Sequence, residues 1–133
     1  PKGIIHADLF PDNVLFSRSH KVSGMIDFYF ACKDFFAYDI AILINAWCFP
    51  DNDFNKIFMN NILKGYESIR KLQIIEKKKL NVLLRGSSLR FLLTRIIDIQ
   101  KKTKNKLLEI KNPEDFLKRL IFHRTISNEN YGI

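Results

Sequence analysis

Cysteine is scarce in this chain. Cys32 and Cys48 are its only two, and they form neither a short-spaced metal pair nor a disulfide framework, so both are expected to be small buried or half-buried thiols without chemistry. Long apolar runs are missing too. No segment reaches the roughly 18 apolar residues of a membrane span, and none joins a charged start, an apolar stretch and a small-residue cleavage site as a secretory signal does. The expectation is a soluble, cytoplasmic protein with no membrane partner. No internal repeat or low-complexity block occurs, and 133 residues, 47% of them hydrophobic, suffice for one core, so a single domain over 1–133 is expected. Acid is short relative to base: 14 Asp and Glu stand against 22 Lys and Arg, a net charge of +8. That balance can mean nucleic acid, a phosphorylated ligand or an acidic membrane surface. The helical spacing lacks the interleaved aromatic and basic surface of a nucleic-acid binder. Runs such as Glu76-Lys77-Lys78-Lys79 and Lys101-Lys102-Thr103-Lys104 read as solvated helix ends and polar faces. The chain opens on Pro1 and enters the apolar run Gly3-Ile4-Ile5 with no leader, cap or linker, so an upstream segment is expected to be missing.

The first third reads as short extended pieces, Gly3 to His6, Asn13 to Phe16 and Val22 to Phe28. Ser17-Arg18-Ser19-His20-Lys21 is the turn that makes the last two a β-hairpin. From Phe35 the pattern changes to helical spacing. Ala37, Ile40, Ala41, Leu43, Ile44 and Trp47 recur every three or four residues, which predicts an almost wholly apolar, buried helix ending at Phe49-Pro50-Asp51-Asn52. Asp53 is the expected cap of a second helix from Phe54 to about Arg70, with Ile57, Phe58, Ile62, Leu63 and Tyr66 facing inward. A third runs from near Ile75 to Lys102. Its Gly86-Ser87-Ser88 predicts a bend or the close approach of another backbone. Asn112-Pro113-Glu114-Asp115 announces a fourth helix through about Arg124. The tail from Ser127 to Ile133 is polar and predicted to fray. The fold class is therefore α+β, mostly α, with a small hairpin followed by about four helices.

The polar residues of the first third carry the chemistry. His6-Ala7-Asp8-Leu9-Phe10-Pro11-Asp12-Asn13 has the H-x-D-x-x-x-x-N spacing of a phosphotransfer catalytic loop, and Ile26-Asp27-Phe28 ends a later strand. Transfer of a phosphoryl group from ATP needs a hard cation held by oxygen, which the Asn13 amide and the Asp27 carboxylate supply. It also needs a proton acceptor at the attacking hydroxyl, in line with the phosphate and free of the metal. Asp8, five residues before Asn13, fits that task. His6 reads as a brace for the loop. Asp39, alone in an apolar helix, is costly to bury unless it accepts several hydrogen bonds, and the backbone amides of the loop are the obvious donors.

These segments, together with Tyr38-Asp39-Ile40-Ala41, Asn45-Ala46-Trp47-Cys48-Phe49 and Arg85-Gly86 with Leu89 to Arg95, resemble the small-molecule kinases of the aminoglycoside phosphotransferase and choline kinase superfamily. Within it they look most like the bacterial homoserine kinases. The resemblance runs through almost the whole chain, to about His123. It implies the C-terminal lobe of a protein-kinase-like fold, with Asp8 as the catalytic aspartate, Asn13 and Asp27 as magnesium ligands, and ATP and L-homoserine as substrates. It also implies a nucleotide-binding N-terminal lobe, absent from this chain and supplied by the same or a separate polypeptide, without which the chain is expected to be inactive. Alternatives are another acceptor of the superfamily, of the aminoglycoside or choline type, and a noncatalytic remnant acting as an interaction module. An amino-acid acceptor calls for an arginine fork. Arg90 is the candidate ligand of its carboxylate, with Tyr29, Asp34 and Trp47 as further cleft candidates.

Overall fold

A computed structural model describes residues 1–102 and 111–132. Thr103 and Lys104 of the basic run, and Ile133 of the tail, lie outside the described residues. Strand β1 (Lys2–Ile5) pairs antiparallel with a later strand, β4 (Cys32–Phe35), in the register Lys2 to Phe35 and Ile5 to Cys32. Strands β2 (Val14–Phe16) and β3 (Val22–Met25) form the expected hairpin. Ser17 N donates to Lys21 O at 2.8 Å across its turn, and His20 takes a left-handed φ of 58° to reverse the chain. Two expectations need correction. β3 stops at Met25 because Asp27 turns left-handed, with φ 61° and ψ 66°, and Phe28–Phe30 coil into a 3₁₀ turn. Cys32–Phe35, which the sequence pattern assigns to no element, form β4, so there are two two-stranded sheets rather than one hairpin.

Helix α1 (Phe36–Trp47) buries Ala37, Ile40, Ala41, Ile42, Ile44 and Asn45, as its apolar composition demands. Helix α2 (Lys56–Ile69) starts later than expected. Pro50–Asn52 form a 3₁₀ turn, Asp51 and Asn52 have positive φ, and Asn55 N donates to Cys48 O at 2.8 Å. The cap is therefore Asn55, whose Oδ1 accepts from Phe58 N at 3.0 Å, and not Asp53. The later start also moves the inner stripe. Met59 and Leu63 are buried and Ile62 and Tyr66 pack beside them at helical spacing, while Ile57 and Phe58 face solvent.

Helix α3 (Ile74–Lys102) runs unbroken through its glycine. A Cβ at Gly86 would meet nothing within 4 Å. The close approach falls on Ser87 and Ser88, both fully buried, whose hydroxyls donate to Leu84 O. Helix α4 (Glu114–Thr125) opens as its sequence demands, with Asn112 Oδ1 accepting from Glu114 N at 3.0 Å. The tail is not frayed throughout: Asn128–Tyr131 form a short helix, α5, and Tyr131 has no exposed surface. It fills the core.

α1 and α4 both pack on α3. Ile40, Ala41, Ile44, Met59, Leu80, Leu84 and Tyr131 belong to a large core between helices. A smaller one, of Ile5, Ala7, Ile42, Phe91 and Phe116, underlies the polar loop after β1. Cys48 is buried in the large core, where desolvation pushes its thiol up to about 12, whereas Cys32 is exposed. No helix among the described residues is long and apolar enough to cross a membrane.

Candidate active site

β1 delivers the chain into the small core at Ile5, and the next residues turn sharply. Ala7 is buried with φ 61°, a left-handed conformation that costs an ordinary residue about 1–2 kcal/mol and therefore needs support. The support comes from several elements. Asp39, in the first turn of α1, accepts from His6 N at 3.0 Å through Oδ2 and from Ala7 N at 2.8 Å through Oδ1. Three successive carbonyls are then capped by side chains. Ala7 O accepts from Arg90 Nη1 at 2.7 Å, Asp8 O from Asn13 Nδ2 at 2.8 Å, and Leu9 O from Trp47 Nε1 at 2.9 Å. Phe10 seals the loop from below, its ring 4.8 Å from that of Phe91 and 6.0 Å from that of Phe116.

The Asp8 side chain projects from this clamped turn, half-buried, and its Oδ2 accepts from Asn13 Nδ2 at 3.1 Å. Burial, the largest influence, raises its carboxyl above the usual carboxylate range, with a further push from Asp27. Arg90 and the Asn13 hydrogen bond pull the other way. Asn13 is buried at the end of a 3₁₀ turn, Pro11–Asn13, that the proline starts.

The second polar segment is tied to the first at Ile26. Ile26 N donates to Asn13 O at 3.0 Å, and Ile26 O accepts from His6 Nε2 at 2.9 Å. In the neutral ring the His6 proton therefore sits on Nε2, leaving Nδ1 buried without a partner. The Phe28 ring lies 4.5 Å from the imidazole. His6 thus braces the loop against the segment that carries Asp27. The Asp27 carboxylate is exposed and makes no hydrogen bond or ion pair among the described residues.

The donor set suits a hard divalent cation. Asn13 spends its amide nitrogen on Asp8, which leaves its carbonyl oxygen, and Asp27 offers an unengaged carboxylate. No group of three or more His, Cys, Asp and Glu able to enclose a metal occurs among the described residues. One or two protein oxygens without a closed cage is the arrangement magnesium takes when nucleotide phosphates and water complete its shell.

His6, Asp8, Asn13, Asp27, Asp39 and Arg90 are thus gathered around one loop. Of Arg85, Arg90 and Arg95, Arg90 bonds that loop, Arg85 is exposed, and Arg95 is engaged at 3.1 Å by Asp115. Tyr29 is 94% exposed, and Asp34 accepts from the amide of its neighbour Phe35, so neither joins the group. Trp47, the third cleft candidate, does meet the loop, as a tether to Leu9 O that the sequence did not specify. An indole N–H in a helix otherwise apolar must find an acceptor, which is the one signal that could have pointed to it.

Residues 1–72 match the family model described as the phosphotransferase enzyme family. The chain is 50% identical over 135 residues to a homoserine kinase of Xanthobacter autotrophicus, and 48% identical over 135 residues to one of Nitrobacter hamburgensis. It is 52% identical over 127 residues to a homoserine kinase of Beijerinckia indica. The three alignments cover 100%, 100% and 95% of this chain and 42%, 41% and 39% of the relatives. The chain spans about two fifths of the length of these curated relatives.

Proposed function

Since the chain belongs to the phosphotransferase enzyme family, we propose that it is the catalytic lobe of a homoserine kinase, transferring the γ-phosphoryl group of ATP to the side-chain hydroxyl of L-homoserine. The products are ADP and O-phospho-L-homoserine. The observation that carries this reading is the clamped loop, which hydrogen-bonds Asp8 to Asn13 and is tied through Ile26 to the segment that carries Asp27. Asp8 takes the hydroxyl proton as the oxygen attacks phosphorus in line with the departing ADP. Its partly raised affinity for a proton suits a base of this kind. Asn13 and Asp27 hold magnesium, which when bound neutralises charge on the phosphate oxygens. Arg90, with N–H groups to spare beyond its bond to Ala7, faces the acceptor carboxylate.

We place residues 1–133 as one domain that works with a nucleotide-binding N-terminal lobe, from the same or a separate polypeptide. The relatives, more than twice as long, support this. Without such a lobe one wall of the nucleotide cleft opens to water, where charge stabilisation is far weaker. We infer a cytoplasmic location, where ATP is supplied.

The test is an acceptor panel of L-homoserine, choline and an aminoglycoside with ATP and magnesium, run on the chain alone and on the chain joined to a supplied N-terminal lobe. Transfer to L-homoserine by the joined protein is the expected result. Preference for choline or the aminoglycoside would reassign the acceptor. No transfer by any combination, with the chain folded, would leave a noncatalytic interaction module.

A further inference from the structure

We propose that Arg90 is a positioning residue, which fixes the catalytic loop and the Asp27 segment relative to one another. Its role in phosphoryl transfer rests on the kinase reading above. Its role in loop geometry does not.

Arg90 caps the first of the three successive carbonyls, at the residue whose backbone is left-handed. Asp39 holds Ala7 N from α1 and Arg90 holds Ala7 O from α3, so both backbone polar groups of that residue are fixed from different helices. Removing either hold frees Ala7 to leave a conformation it does not prefer, and Asp8 turns with it. The guanidinium carbon also lies 5.2 Å from the ring centroid of Phe30 and 4.6 Å from that of Phe91. Phe30 ends the 3₁₀ turn that begins directly after Asp27. One side chain therefore touches the loop bearing the proton acceptor and the turn following the metal-binding carboxylate, from a helix that packs against both α1 and α4. A guanidinium suits this position because its plane stacks on rings while its edge donates to a carbonyl. Its positive charge is also the largest influence opposing the upward shift of the Asp8 carboxyl.

The test compares wild type, Arg90→Met and Arg90→Lys in the chain joined to a nucleotide-binding lobe. Lysine keeps the charge and can still reach the Ala7 carbonyl but loses the planar stack. Amide hydrogen exchange without nucleotide is read first. Arg90→Met should raise exchange in peptides spanning residues 5–10 and 26–30 by about tenfold, the scale of one charge-assisted hydrogen bond, with α2 unchanged and Arg90→Lys intermediate. Kinetically, Arg90→Met should lower kcat by roughly 100-fold, the scale of an ångström-sized misplacement, with KM for ATP within about twofold, KM for L-homoserine raised by the lost carboxylate contact, and partial recovery in Arg90→Lys. Unchanged exchange in both peptides would overturn the proposal, as would a loss confined to KM for L-homoserine. If wild type transfers nothing to L-homoserine, the kinase reading fails, and the exchange measurement still decides what Arg90 does to the loop.

Discussion

Asp39 shows how a single carboxylate sets a backbone. Each of its oxygens accepts one loop amide, so the two N–H groups that the left-handed turn at Ala7 removes from strand pairing are both satisfied. Asp39→Asn keeps the shape but turns one acceptor into a donor aimed at an N–H. The expected cost is about 1–3 kcal/mol, the penalty for one unsatisfied buried amide, read as a lower urea midpoint for unfolding. An unchanged midpoint would show that the amides find other partners. At this scale the sequence is informative where spacing is local. Asp8 and Asn13 lie five residues apart and are hydrogen-bonded, and an aspartate inside an apolar helix had to find donors. The bonds from Arg90 to Ala7 and from Trp47 to Leu9 join residues 83 and 38 positions apart, and no local pattern encodes such a meeting.

At the scale of elements, a buried polar network holds the helices in register. Asn45 on α1 donates from Nδ2 to Ser87 Oγ at 2.6 Å and to Leu84 O at 2.9 Å on α3. Its Oδ1 accepts from His123 Nε2 at 2.8 Å, and His123 Nδ1 in turn accepts from the Tyr131 hydroxyl at 2.6 Å. Four helices thus meet through one neutral imidazole. Burial, aided by the nearby Arg119 guanidinium, pushes the His123 pKa down to about 4 from an ordinary 6.5. The unfolded chain therefore binds a proton below about pH 6.5 that the folded chain refuses. The stabilisation is complete above that pH and is lost as pH falls towards about 4, by about 3 kcal/mol in all. Denaturant unfolding of wild type and His123→Gln between pH 7 and pH 4.5 checks this. The wild type should lose more stability than the variant over that window, since carboxylates titrate alike in both, and equal losses would contradict the assignment.

The errors of the sequence reading are also element-sized. Cys32–Phe35 is four residues with a charged centre, and only its distant partner β1 makes it a strand. The stripe on α2 shifted because Asn55, rather than Asp53, begins the helix. α5 went unseen because one buried tyrosine in a polar tail gives no periodicity. The long apolar helix α1 and the proline-opened α4 were legible because composition and caps act locally.

The whole molecule divides its labour between two cores. The larger one, between helices, supplies stability, and the smaller one holds the loop. α1 serves both, giving Ile40 and Ile44 to the first and Ile42 to the second, with Asp39 and Trp47 gripping the loop near its two ends. The loop is thus held to the helix pair beneath it, as the proposed in-line transfer would require of a proton acceptor. The most direct measurement is kcat for L-homoserine phosphorylation by Asp8→Asn, at saturating ATP and magnesium, in the chain joined to a supplied nucleotide-binding lobe. The amide still accepts from Asn13 but cannot take a proton, so kcat should fall by about 10²–10⁴ with KM for ATP little changed. A kcat within a few-fold of wild type would contradict the assignment of Asp8 as the base and, with it, the reading of this loop as the catalytic centre.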